Sequence, residues 1–224
     1  MLSRAVAIDK SIISSNKNSN VIAAEEQFDL KRTQLKEMLC SALMKREKSV
    51  GLLSDTRTVL LSGELIWLLI KTYQPKVLIA AGLSGMPLLH AVALAANTDG
   101  HAVQVLMIRE KRKTHNLKKW VEGAAPAKGA VAIYISDHFA DAETLSFVKS
   151  ALEADHCIVD IQAISMMLDL TASADLSYAD FETQHITSIF SADEFNEEPK
   201  DGVNKLLALV EECRLQGFTL QGTV

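Results

Sequence analysis

The run KVLIAAGLSGMPLLHAVALAAN, Lys76 to Asn97, changes character in its middle. KVLIAAG is continuously apolar and is ended by Gly82, as expected for a strand buried on both faces. PLLHAVALAAN then reads as a helix, with Pro87 in its first turn. A buried strand that passes through a glycine turn into a helix is the repeating element of an α/β fold.

The same alternation continues downstream. AVQVLMIR (Ala102 to Arg109) is a second buried strand and AVAIYISD (Ala130 to Asp137) a third. DAETLSFVKSALEAD places Leu145, Val148 and Leu152 on one helical face. CIVDIQAISMMLD and HITSIFS read as two more strands, and KDGVNKLLALVEECRLQ as a closing helix. Upstream, SGELIWLLIKTY is a helix with Ser62 as its N-cap and Pro75 beyond its end. FDLKRTQLKEMLCSALMKREK has Leu35, Met38, Leu39, Ala42 and Leu43 at helical spacing, with lysines and arginines opposite. Strands alternating with helices predict a single-domain α/β fold: a mostly parallel sheet with helices on both faces, preceded by a helical segment. Residues 1–24 read as a loosely ordered extension and 25–224 as the domain, with neither repeats nor a Pro/Gly-rich linker.

Composition narrows the setting. At 224 residues, 48% hydrophobic and 23% charged, the chain suits one globular core. A net charge of −5 argues against general nucleic-acid binding. No apolar run reaches the roughly 18 residues of a membrane span. The first twenty residues lack the apolar core and cleavage site of a signal peptide. The three cysteines, Cys40, Cys157 and Cys213, form neither a metal pattern nor a disulfide framework, and Cys157 reads as a core residue. A reducing cytoplasm is the expected compartment.

Ligands of such sheets bind beyond the carboxyl ends of the strands, where three segments collect. AGLSGMP (Ala81 to Pro87) has two glycines ahead of a helix N-terminus. It reads either as an anion-binding turn or as a plain tight connection. IREKRKTHNLKKWVEG (Ile108 to Gly123) carries six basic residues between Arg109 and Lys119 against the single acid Glu110, a local excess of +5. It reads as a loop that closes over a polyphosphate, or as a solvated charge run. YISDHFADAET puts Asp137 at a strand end and Thr144 seven residues on. Asp137 can hold ribose hydroxyls or a metal there, or Asp137 or Asp141 can cap the next helix.

These segments, in this order, resemble the orotate phosphoribosyltransferases, a branch of the type I phosphoribosyltransferases. The similarity runs from about Leu35 to Phe195. LSDTRTVLLSGELIWLL resembles the family's Asp-x-Arg segment, and AGLSGMPLLHAVALA its pyrophosphate loop and helix, with Ser84 and Gly85 in the loop. Arg109, Lys113 and His115 fall on the spacing of the family's catalytic loop, closed by Glu122 and Gly123. The resemblance implies transfer of phosphoribose from phosphoribosyl pyrophosphate (PRPP) to orotate or a related base, with Mg²⁺, in pyrimidine nucleotide synthesis. Lys113 would stabilise the leaving pyrophosphate, Arg109, Lys111 and His115 would grip phosphates, and Lys45 would contact substrate. The loop would reach the partner's site in a homodimer.

The resemblance breaks at the turn after Asp137. The family has two acids followed by a Thr-Thr-Gly-x-Ser-like loop, whereas Ser136–Asp137 leads into Ala140-Asp141-Ala142-Glu143-Thr144. Asp137, the remaining catalytic and metal-binding candidate, and Thr144 survive. Leu170 stands where the family has an arginine for the orotate carboxylate. The chain therefore reads as an orotate phosphoribosyltransferase-like protein or, alternatively, as an impaired member that binds or regulates.

Overall fold

The structure, a computed structural model, describes residues 19–44, 55–83, 85–112, 119–138, 142–169 and 185–195. Helix α1 (Ser19–Met44) is followed by α2 (Thr56–Ile70), a 3-10 turn (Lys71–Tyr73), β1 (Val77–Ala81) and α3 (Met86–Thr98). Then come β2 (Gln104–Ile108), β3 (Val121–Glu122), β4 (Ala130–His138), α4 (Ala142–Ala154), β5 (Val159–Asp169), β6 (His185–Ser191) and a closing 3-10 turn (Ala192–Phe195).

The six strands form one sheet in the order β3-β2-β1-β4-β5-β6. All neighbours are parallel except β2 and β3. Alternation along β1 divides the core. Leu78 and Ala80 face α1, α2 and α3, while Val77, Ile79 and Ala81 face the side packed by α4. Every residue of β1 is buried, which is why its sequence is apolar throughout. The expected α/β sheet with helices on both faces is therefore present.

The helix starts differ from the sequence reading. Helix α2 begins at Thr56, because Asp55 accepts the Thr58 N–H at 2.8 Å and the Thr58 hydroxyl at 2.9 Å. Ser62 is not the N-cap. It lies on the buried face, with its hydroxyl 3.3 Å from Met167 Sδ. Thr58 and Val59 are β-branched and weaken the helical signal before Ser62, but the Asp55 cap more than compensates. Helix α1 likewise starts at Ser19 and takes in the last six residues assigned to the extension; Ala23, Ala24, Glu25 and Glu26 are good helix formers.

Helix α1 is fastened to the far edge of the sheet. Leu35 and Leu39 are buried one turn apart, and Arg32 Nε donates to the Ile189 carbonyl at 2.9 Å. The Arg32 guanidinium also pairs with Glu194 and lies 4.8 Å from the Phe190 ring centroid. Cys157 is buried, as its apolar surroundings suggested. Among the described residues, no helix is long and apolar enough to cross a membrane.

Candidate functional site

The strand order reverses between β1 and β4: from β1 the chain moves to β2 on one side, then returns to β4 on the other. Such a reversal opens a crevice at the carboxyl edge. Ala81 pairs with Ile108 and Ile79 with Tyr134. Continuing the first register places Gly82 level with Arg109. The β1–β2 pairing runs to Ala81 and Ile108, whereas the β1–β4 pairing ends at Ile79 and Tyr134, so Asp137 lies beyond the last position on β4 that pairs with β1. Sequence-predicted residues from three separate segments are thereby brought to one edge.

Gly82 makes the turn out of β1 with φ +71°, and its N–H donates to the Ile108 carbonyl at 2.9 Å. A side chain there would be strained, and its Cβ would lie 2.7 Å from Glu110 Oε1. Gly85 is the N-cap of α3 and is packed so closely that a Cβ would sit 3.1 Å from that of Ala80. Between this turn and the start of the basic segment is a cleft of about 220 Å³, lined by Gly82, Leu83 and Met107 through Lys111. Ser84 lies outside the described residues.

Arg109 opens the basic segment, and the protein itself occupies two of its donors. Its N–H donates to the Trp120 carbonyl at 2.9 Å, and Nη1 donates to Glu122 Oε1 at 2.8 Å. Arg109 Nε is buried without a partner. Lys111 is exposed at the cleft. Lys113 and His115, like Lys45, fall outside the described residues.

The returning limb is held from a different element. Asp155, just beyond α4, accepts the N–H groups of Trp120 and Val121, each at 2.8 Å. The Trp120 ring meets Phe147 of α4 edge-on at 5.4 Å. Gly123 follows with φ +130°, where a Cβ would lie 2.5 Å from the Val105 carbonyl oxygen. The Glu122–Gly123 pair thus has two local jobs: one residue pairs with Arg109, and the other lets the chain pass against β2. The short antiparallel β3 was invisible in the sequence because two residues carry no periodicity.

Asp137, near the end of β4, is bound by its own neighbour. Its Oδ1 is 2.8 Å from His138 Nδ1 and accepts the His138 N–H at 3.1 Å. Burial alone would push the carboxyl up, but the His138 charge and hydrogen bonds outweigh it and hold Asp137 below the ordinary carboxylate value. Ser136 is buried beside it. Thr144 lies in the first turn of α4, half-buried. Residues 139–141 and Leu170 lie outside the described residues. Among the described residues, no group of three or more His, Cys, Asp or Glu side chains is placed to hold a metal ion. Asp137 offers one carboxylate, so these residues suit Mg²⁺ only if a polyphosphate supplies other oxygen ligands.

Sequence reasoning singled out Arg109, Gly85 and Asp137 as candidates but did not foresee Glu122 as the partner of Arg109, His138 as that of Asp137, or Asp155 as the support of the returning limb. Glu110 was counted only as one acid in a basic run. Its position between Arg109 and Lys111, directly after a buried strand, was the available signal.

No family model matches the sequence. Solved structures do resemble the chain. A phosphoribosyltransferase from Corynebacterium diphtheriae superposes with a TM-score of 0.57 at 20% identity, over 72% of this chain and 95% of that one. Orotate phosphoribosyltransferase from Mycobacterium tuberculosis, in complex with PRPP, gives 0.52 at 16% identity, over 72% and 89%. Leishmania donovani UMP synthase gives 0.51 at 13% identity, over 72% of this chain and 34% of its own. These similarities establish the fold as that of type I phosphoribosyltransferases.

Proposed function

On the premise of that fold, we propose that the protein binds PRPP at the carboxyl edge of its sheet and transfers phosphoribose to a nitrogenous base, orotate or a relative. The observation that carries this reading is the placement of Arg109, Gly82 and Asp137 at the carboxyl ends of three adjacent strands at the point of reversal. In this reading the β1–α3 turn and the basic segment receive the pyrophosphate, and Asp137 receives ribose hydroxyls. Lys113 stabilises the departing charge, with Arg109, Lys111 and His115 on the phosphates. Mg²⁺ supplies charge neutralisation when it arrives with PRPP. Catalysis comes from positioning and charge stabilisation. Two copies of the chain pair so that each basic segment lies near the other's site.

A second reading has its own support. Glu110 stands over the turn that would receive an anion, and this favours a member that binds or regulates without turnover. Pyrophosphate release from PRPP, orotate and Mg²⁺ across pH 6 to 9, together with calorimetry, separates the two. Turnover above background with Mg²⁺-dependent PRPP binding supports the transferase. Binding without turnover supports the second reading, and no binding at millimolar PRPP overturns PRPP as the ligand.

A further inference from the structure

The geometry points to Glu110 as an internal anion that occupies the β1–α3 turn and decides which ligand enters it. This inference rests on the reading of that turn as a pyrophosphate site. Glu110 Oε1 lies over Gly82, so near that a Cβ on Gly82 would be 2.7 Å from it. The carboxylate lies beside the residue that turns the chain out of β1, in the cleft that Glu110 shares with Gly82, Leu83 and Lys111, and the N-terminus of α3 that follows this turn favours negative charge. Of the two cations that flank it in sequence, Arg109 directs its guanidinium to Glu122, and Lys111 lines the same cleft with its side chain exposed. Among the described residues, none of the ion pairs uses Glu110.

A carboxylate in that position opposes a diphosphate that seeks the same place. Two unit charges at close approach in a protein cleft repel by an amount equal to roughly a thousandfold in affinity. Solvent and rotation of the Glu110 side chain reduce this. A diphosphate must therefore displace Glu110, whereas a ligand that is neutral or cationic at this end meets no such opposition. Glu110 is a specificity-determining residue of the site, and it selects against highly charged anions.

The experiment uses the full chain with pyrophosphate alone as the probe, measured by calorimetry. Glu110→Gln keeps the shape and removes the charge, Glu110→Ala removes both, and Glu153→Gln removes one exposed charge from α4 as a control. Both Glu110 variants should bind pyrophosphate at least about tenfold more tightly than the parent chain, with Glu153→Gln within about twofold. Equal tightening in all three variants would assign the effect to net charge and overturn the role of Glu110. So would a parent chain that binds pyrophosphate or PRPP with Glu110→Gln no tighter, and the transferase reading would then stand. If neither the parent nor any variant binds pyrophosphate or PRPP, the site reading and this inference fall together.

Discussion

Asp155 offers the sharpest test of how the basic segment is held. Its Oδ2 accepts two main-chain N–H groups, from Trp120 and Val121, each at 2.8 Å. Hydrogen bonds to a charged acceptor contribute about 1.5–3 kcal/mol each, and partial exposure favours the lower end. Asp155→Ala therefore removes about 3 kcal/mol. Asp155→Asn can present its amide oxygen to both donors, as neutral bonds of about 1 kcal/mol each, so its loss is only about 1 kcal/mol. In a domain of this size, the alanine variant should melt about 6–12 °C lower. Urea unfolding reads the difference, with an unchanged slope showing that only stability moved. Amide hydrogen exchange at Trp120 and Val121 should accelerate more than at β1, which has no part in the clamp. The reasoning fails if Asp155→Ala stays within about 1 kcal/mol of the parent, or if Asn is as damaging as Ala.

Three further outcomes are expected. Gly123→Ala forces φ +130° on an L side chain and drives Cβ to 2.5 Å from the Val105 carbonyl oxygen; chemical denaturation should show a loss of about 2–4 kcal/mol. Gly63→Ala places a Cβ 2.5 Å from Ala91 where α2 meets α3; overpacking of about 1–3 kcal/mol should exceed the roughly 1 kcal/mol gained in helix propensity, giving a lower melting temperature. Asp99 is held below its ordinary value of 3.8 by the hydrogen bond from the Trp67 indole, with burial opposing and Lys71 assisting. Its contribution is complete above that ordinary value and disappears as pH falls through the lower native value. Asp99→Asn should flatten this part of the acid limb of stability, read by Trp67 fluorescence, and leave the slope above pH 6 unchanged.

The sheet could be read from sequence because a strand covered on both faces has no polar face to break its apolar run. Val77–Ala81 is the clearest case. Helix starts were less legible, since Asp55 caps α2 from outside its periodic segment and seven residues before Ser62. Candidate site residues were legible only at strand ends: Arg109 follows β2, and Asp137 closes the apolar part of β4. Their supports depend on folding rather than on neighbours in sequence. The Trp120–Asp155 contact joins residues 35 apart, across β4 and α4, and no local pattern announces it. Glu110 was visible as a residue but not as a position, because its relation to Gly82 exists only once β1 and β2 are paired.

That position has an energetic consequence for the whole cleft. Three groups expected to meet a ligand already have internal arrangements: Arg109 with Glu122, Asp137 with His138, and the Gly82 turn with Glu110. Ligand binding is then an exchange of partners, and the exchanges differ in difficulty. The Arg109–Glu122 pair leaves both side chains 37% exposed, so it contributes at most about 1 kcal/mol and a phosphate can replace the carboxylate with little loss. Such an exchange releases Glu122 into water, where it is well solvated. Glu110 differs, because it must leave a place that a diphosphate then fills with like charge, and its displaced carboxylate stays tethered one residue from Arg109. The repulsion that remains after Glu110 rotates away is smaller than at full contact, but it has no counterpart in the first exchange, where the released carboxylate passes into water. If a polyphosphate is the ligand, as proposed, the acid beside the glycine turn should limit its affinity more than the loss of the arginine's internal partner.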